Sequence, residues 1–95
     1  MIERHITFQV NPEKASDFEH FFVKEYRPAM QKSAGFIKVD LLREAEHPER
    51  YQMVLRFADV DTAAGWRNSE VHQALQPKLK SLHIGMEIIA YQVVA

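Results

Sequence analysis

The stretch AAGWRNSEVHQAL, Ala63 to Leu75, contains the only tryptophan of the chain and joins two helical patterns. Asp59 or Asp61 can cap a short helix that runs through Trp66. Ser69 can cap a second one carrying Val71, Ala74, Leu75, Leu79 and Leu82. Pro77 falls inside this second pattern, where its missing amide and its ring predict a distortion. Two helical pieces over residues 61–82 therefore precede the last apolar run, and the rest of the fold is read outward from them.

Upstream, Tyr51 to Ala58 alternates Tyr51, Met53, Leu55 and Phe57 against Gln52, Val54 and Arg56, the period of a half-buried strand. Phe36 to Glu44 alternates likewise, with Ile37, Val39 and Leu41 on one side and Lys38, Asp40 and Leu42 on the other. The polar stretch AEHPER, Ala45 to Arg50, makes these two strands a hairpin. Ahead of them, Asn11, Pro12 and Glu13 form a helix opening, with Asn11 as the expected cap. Phe18, Phe21, Phe22, Tyr26, Ala29 and Met30 give that helix one apolar stripe. Pro28 predicts a kink or break near Glu25 to Arg27, and Gly35 suits a left-handed C-terminal cap. Ile2 to Val10 is a first strand with Ile6, Phe8 and Val10 inward. His83 to Val94, apolar on both faces toward its end, is a last strand expected to be covered on both sides.

The order strand, helix, strand, strand, helix, strand is that of an α+β ferredoxin-like unit (βαββαβ), an antiparallel four-stranded sheet with its helices on one face. The other face would carry Leu42, Val54, Ile89, Tyr91 and Val93. No element remains to cover it, and a second copy is the simplest cover. Arg56 on that face is expected to pair with Asp40 or Glu87.

Composition bounds the function. The chain has 95 residues, a formal charge of −1 and no cysteine. A chain this short buries only about 60 to 70 % of its unfolded surface. The charge balance supplies no cationic patch for nucleic acid, and no apolar run approaches the roughly 20 residues of a bilayer span. A single domain over residues 1–95, soluble, cytoplasmic and without a signal peptide, is the expectation. His5, His20, His47, His72 and His83 are scattered without metal-ligand spacing.

Taken together, AGF at Ala34 to Phe36, YQMVLRF at Tyr51 to Phe57, and Trp66, Ser69 and His72 in W-x-x-S-x-x-H resemble the antibiotic biosynthesis monooxygenase family of dimeric α+β barrels. The resemblance spans nearly the full length. It implies a homodimer with a pocket in each subunit between sheet and helices. Some members oxygenate electron-rich aromatics such as quinols and anthrones with dioxygen and no cofactor, which requires an apolar pocket, a base and stabilisation of an anion. A haem-degrading branch of the same family shares the tryptophan, but the chain has Ile6 where that branch has an asparagine and Gln76 where it has a histidine.

On this resemblance His72 is the candidate base, and Trp66, Arg67, Asn68, Tyr26 and Phe22 are candidates for binding a hydrophobic aromatic. Each also has a plain reading. Trp66 can plug the helix corner, His72 can stack on the first helical turn, and Arg67 and Asn68 can be solvated junction residues. Tyr26 reaches a pocket mouth only if Pro28 opens its helix. The second function carried forward is a non-catalytic ligand-binding or assembly module of the same fold, and a third is a related isomerase or stress-response protein.

Overall fold

In the computed structural model, which describes Met1–Ala95, the chain runs through β1 (Ile2–Gln9), a 3-10 turn (Pro12–Lys14) and α1 (Ala15–Phe21). A π turn (Phe22–Tyr26), α2 (Arg27–Gln31), β2 (Phe36–Arg43) and β3 (Arg50–Phe57) follow, then α3 (Val60–Arg67), α4 (Glu70–Leu82) and β4 (Gly85–Gln92). The strands form one antiparallel sheet in the order β2-β3-β1-β4, the ferredoxin-like arrangement, with the helices packed on one face.

Alternation sorts the side chains as the strand patterns require. Ile2, Ile6 and Phe8 of β1 and Tyr51, Met53, Leu55 and Phe57 of β3 are buried against Phe18, Phe21, Phe22, Tyr26 and Met30. In β2 a register shift between Phe36 and Lys38 sets Ile37 out of phase. Ile37 is exposed, and Phe36 packs against the core in its place.

Both prolines behave differently from expectation. The backbone stays helical from Ala15 to Gln31, through Pro28. The Arg27 amide donates to the Phe22 carbonyl, five residues back, and this wider turn replaces the break expected from Glu25 to Arg27. A π turn holds one residue more than an α turn, so the carbonyl that Pro28 would meet shifts away from its ring. α4 likewise continues through Pro77. Pro77 and Gln73, whose carbonyl loses its donor, both lie on the exposed side, where water can satisfy it. Asn11 makes no side-chain cap bond. Its place is taken by backbone, the Lys14 amide donating to the Asn11 carbonyl at 2.8 Å.

β4 departs furthest from expectation. All eight of its residues are exposed, on both faces, because the helical layer covers β1, β2 and β3 and stops short of the β4 edge. Met86, Ile88, Ile89 and Tyr91 each keep close to half of their surface in water. Val93 lies beyond the strand. The outward sheet face is more polar than the strand patterns alone suggested: Glu3 accepts from Arg56 (2.6 Å to Nη2) and lies 2.7 Å from His5 Nε2, and His5 packs on Tyr91 with ring centroids 4.8 Å apart. Arg56 thus pairs with Glu3, its neighbour across the β1–β3 ladder, and not with Asp40 or Glu87. A cross-strand partner needs no extension of the guanidinium along the sheet.

Gly35 turns the chain from α2 into β2 at φ 78°, as a left-handed cap. A Cβ there would lie 2.4 Å from the Thr62 side chain. Gly35→Ala is therefore expected to cost about 1–3 kcal/mol, read as a lowered urea midpoint with an unchanged slope.

Candidate functional site

The junction of α3 and α4 is built by side-chain capping. Asp59 accepts from the Thr62 amide at 2.8 Å and Thr62 returns the bond to the Asp59 amide, a capping box that starts α3. At the other end one hydroxyl serves both helices. Ser69 Oγ donates to the Trp66 carbonyl at 2.7 Å and accepts the His72 amide at 3.1 Å. This pins Trp66 and His72 to each other, ring centroids 5.0 Å apart and nearly edge-on. Tyr26, presented by the π turn, meets Trp66 at 5.7 Å and 90° and His72 at 6.2 Å. Trp66 and Tyr26 are 2 % and 3 % exposed.

A fourth group enters from the sheet. Arg4 shares the inward phase of β1 with Ile2, Ile6 and Phe8, and its Nη1 donates to the Ala63 carbonyl at 3.4 Å. Burial and the charge of Arg67 lower its pKa, yet a guanidinium remains cationic. Burial pushes the Tyr26 phenol up to about 12, against weaker downward pulls from the Trp66 indole and the Arg4 charge. The phenol is therefore a neutral donor at working pH. Burial holds His72 below the usual histidine range; the Arg67 backbone opposes this and the charges of Arg4 and Arg67 reinforce it. The imidazole is thus a neutral ring with one lone pair.

Which ring nitrogen carries that lone pair is set by Gln76. Its amide nitrogen lies 3.0 Å from His72 Nε2, while His72 Nδ1 is buried without a partner. An amide that donates to Nε2 places the proton on Nδ1. Turned over, its carbonyl accepts from Nε2–H and leaves the lone pair on Nδ1.

The remaining candidates lie apart. Arg67 and Asn68 are exposed at the junction; the Asn68 backbone carbonyl accepts from Gln73 at 3.3 Å. Phe22 stacks on Tyr26 at 6.4 Å but faces a different cleft, on the β2 side. Tyr26 does not reach a pocket mouth, because the π turn keeps its helix closed. Beside Trp66 lies a cleft of ≈ 450 Å³ lined by Lys24, Glu25, Pro28, Lys32 and Ser69 among others. His72 does not line it. No group of three His, Cys, Asp or Glu side chains is placed to hold a metal ion, and no helix is long and apolar enough to cross a membrane.

Against known proteins, residues 1–78 match the family model described as antibiotic biosynthesis monooxygenase. The chain belongs to the antibiotic biosynthesis monooxygenase family. Among solved structures it is similar to a proposed antibiotic biosynthesis monooxygenase of Bordetella bronchiseptica, at 25 % identity and TM-score 0.87, covering 99 % of this chain and 97 % of that one. The cofactor-independent oxygenase SnoaB of Streptomyces nogalater superposes with TM-score 0.89 at 18 % identity, covering 99 % and 93 %. A conserved protein of Methanosarcina mazei Go1 gives 0.86 at 24 %, covering 96 % and 90 %. The last two likenesses carry the fold alone. No curated protein matches the chain.

Within this antibiotic biosynthesis monooxygenase domain, Arg4 is the residue that sequence reasoning passed over. Its signal was present, since stepping back by twos from Phe8 and Ile6 places a cation on an apolar face. Gln76, which stands where the haem-degrading branch has a histidine, is hydrogen-bonded to His72.

The depressed His72 has a stability consequence of definite sign. Above about pH 6.5, the ordinary histidine value, folded and unfolded rings are both neutral. As pH falls below it the unfolded ring takes up a proton first, so stability declines toward the folded pKa. His83, also lowered by burial, adds to the same slope. His72→Gln is expected to flatten part of the loss in a series of urea titrations from pH 7.5 to 5.

Proposed function

We propose that the chain is a cofactor-independent oxygenase of an electron-rich hydroxylated aromatic of the quinol or anthrone class. One observation carries this reading, the convergence of Arg4, Tyr26, Trp66 and His72, which supplies a neutral imidazole, a fixed cation, a protonated phenol and an indole face. His72 removes the substrate proton and Arg4 offsets the charge of the resulting anion. Tyr26 donates to an oxygen of the substrate, and Trp66 provides the stacking wall. Gln76 selects the His72 nitrogen that acts as base. The electron-rich anion then reduces dioxygen itself, one oxygen atom entering the product and the other leaving as water. The family membership and the SnoaB-like fold are consistent with this chemistry.

The substrate approaches over the bare, helix-ward side of β4. Ala90 is the cross-strand neighbour of Arg4 and Ile88 that of Ile6, so a small side chain stands next to the guanidinium and an apolar one beyond it. His72 Nδ1 is buried without a partner.

Oxygen uptake with a panel of anthrones and hydroquinones tests the reading. His72→Ala and Arg4→Gln are each expected to lower kcat about 10²–10³-fold with the melting transition retained. The second reading, a non-catalytic ligand-binding module, draws on the closed packing of Trp66 and Tyr26. Saturable ligand binding without oxygen uptake by any member of the panel selects it.

We further propose that a second copy covers the outward sheet face by a two-fold axis. Leu42, Ile89 and Tyr91 are 50 %, 48 % and 45 % exposed there, so each retains roughly half of its burial free energy, about 1 kcal/mol. Sedimentation at micromolar concentration should give a dimer, and Ile89→Asp should dissociate it and lower its melting temperature. A folded monomer of the unmodified chain would refute the two-fold arrangement.

A further inference from the structure

A second cleft, of ≈ 640 Å³, lies between the π turn and β2, the sheet edge opposite β4. Its volume is within the range of small-molecule sites. Phe22, Val39 and Tyr51 in its lining are buried and Leu41 is half-buried, which gives it an apolar floor.

The charges around that floor are not equivalent. At the far end the Tyr51 hydroxyl donates to Glu19, and Arg43 Nη1 donates to the same carboxylate oxygen at 3.2 Å. Arg43 and Glu19 therefore compensate each other. Asp40 lies 3.9 Å from Lys38 on the outward face. Arg27 is different: its guanidinium sits 5.6 Å from the centroid of the Phe22 ring, and it has no carboxylate partner among the ion pairs of the chain. The wide turn from Phe22 to Tyr26 brings this one uncompensated cation onto the apolar floor, and such turns recur at functional sites.

We propose that this cleft binds a small amphipathic carboxylate, its apolar body resting on Phe22, Val39 and Leu41 and its carboxylate paired with the Arg27 guanidinium. A monoanion matches the single free cation, and the planar fork suits a carboxylate held through two bonds. A dianion is disfavoured by Glu19 and Asp40 in the same lining. The cleft lies at the β2 edge, between the π turn and the hairpin residues Ala45 and Pro48. The inference is independent of the oxygenase reading and uses none of Arg4, Trp66 or His72.

Titration of the full chain with 1-naphthoate and its neutral counterpart 1-naphthamide, followed by methyl and amide NMR shifts, tests the proposal. Naphthoate is expected to shift Val39 and Leu41 and to bind about tenfold more tightly than the amide, the scale of one charge-assisted pair. Arg27→Gln should abolish that preference while retaining the melting transition. Arg27→Lys should keep part of it, and Arg43→Gln most of it. Equal affinity for acid and amide, an unchanged affinity in Arg27→Gln, or shifts confined to residues around Trp66 would overturn the assignment.

Discussion

The helical layer of this protein is narrower than the sheet beneath it, and that mismatch shapes everything else about the fold. β1 and β3 have an inner face sealed by aromatic side chains, while β4 is held by its ladder to β1 and by little besides. A sheet edge with half-wet Met86, Ile88, Ile89 and Tyr91 is a liability for an isolated chain. It also leaves Ala90, the cross-strand neighbour of Arg4, uncovered. The same shortfall underlies both the two-fold dimer and the substrate route proposed above.

Polar groups inside the domain are few, and they are gathered where the helices change direction. The buried core is wholly apolar or aromatic, so each charge or lone pair that does reach it stands out. Arg4 borrows the Ala63 carbonyl, and His72 borrows Gln76 and the Ser69 hydroxyl. These groups sit where water is scarce, so their interactions are stronger than on the surface and their protonation is shifted toward the neutral forms. Such a place can hold reactive chemistry. It equally costs stability, which a domain of this size has little of to spare.

The fold was largely legible in the sequence because strand alternation and helix capping are local. The inward faces of β1 and β3, the hairpin, the Asp59 and Ser69 caps and the left-handed Gly35 all follow from neighbouring residues alone. The prolines were misjudged because their cost depends on what the backbone around them can do. A π turn upstream and solvent beside Gln73 absorb penalties that a rigid α-helix would have to carry. β4 was misjudged for the opposite reason, since its two apolar faces describe a covering that this chain does not itself provide. The site was legible only in part. Trp66 and His72 declare themselves by type and spacing, whereas Arg4 lies 62 positions before Trp66 and joins them only through the sheet.

The π turn adjusts the helix phase. Phe18, Phe22, Tyr26 and Met30 recur every four residues, and in a straight α-helix each such step would swing the side chain round by about 40°. Over three steps the row would wind off the sheet, and its last member would face solvent. One extra residue of backbone in the turn takes up that winding, so Phe18 meets Phe8 at one end and Tyr26 meets Trp66 at the other. The helix therefore behaves as two rotors locked at a fixed offset. Removing a single residue between Phe22 and Tyr26 would turn the downstream half by roughly a quarter of a revolution, carrying Tyr26 away from Trp66 and Arg27 off Phe22 in the same motion.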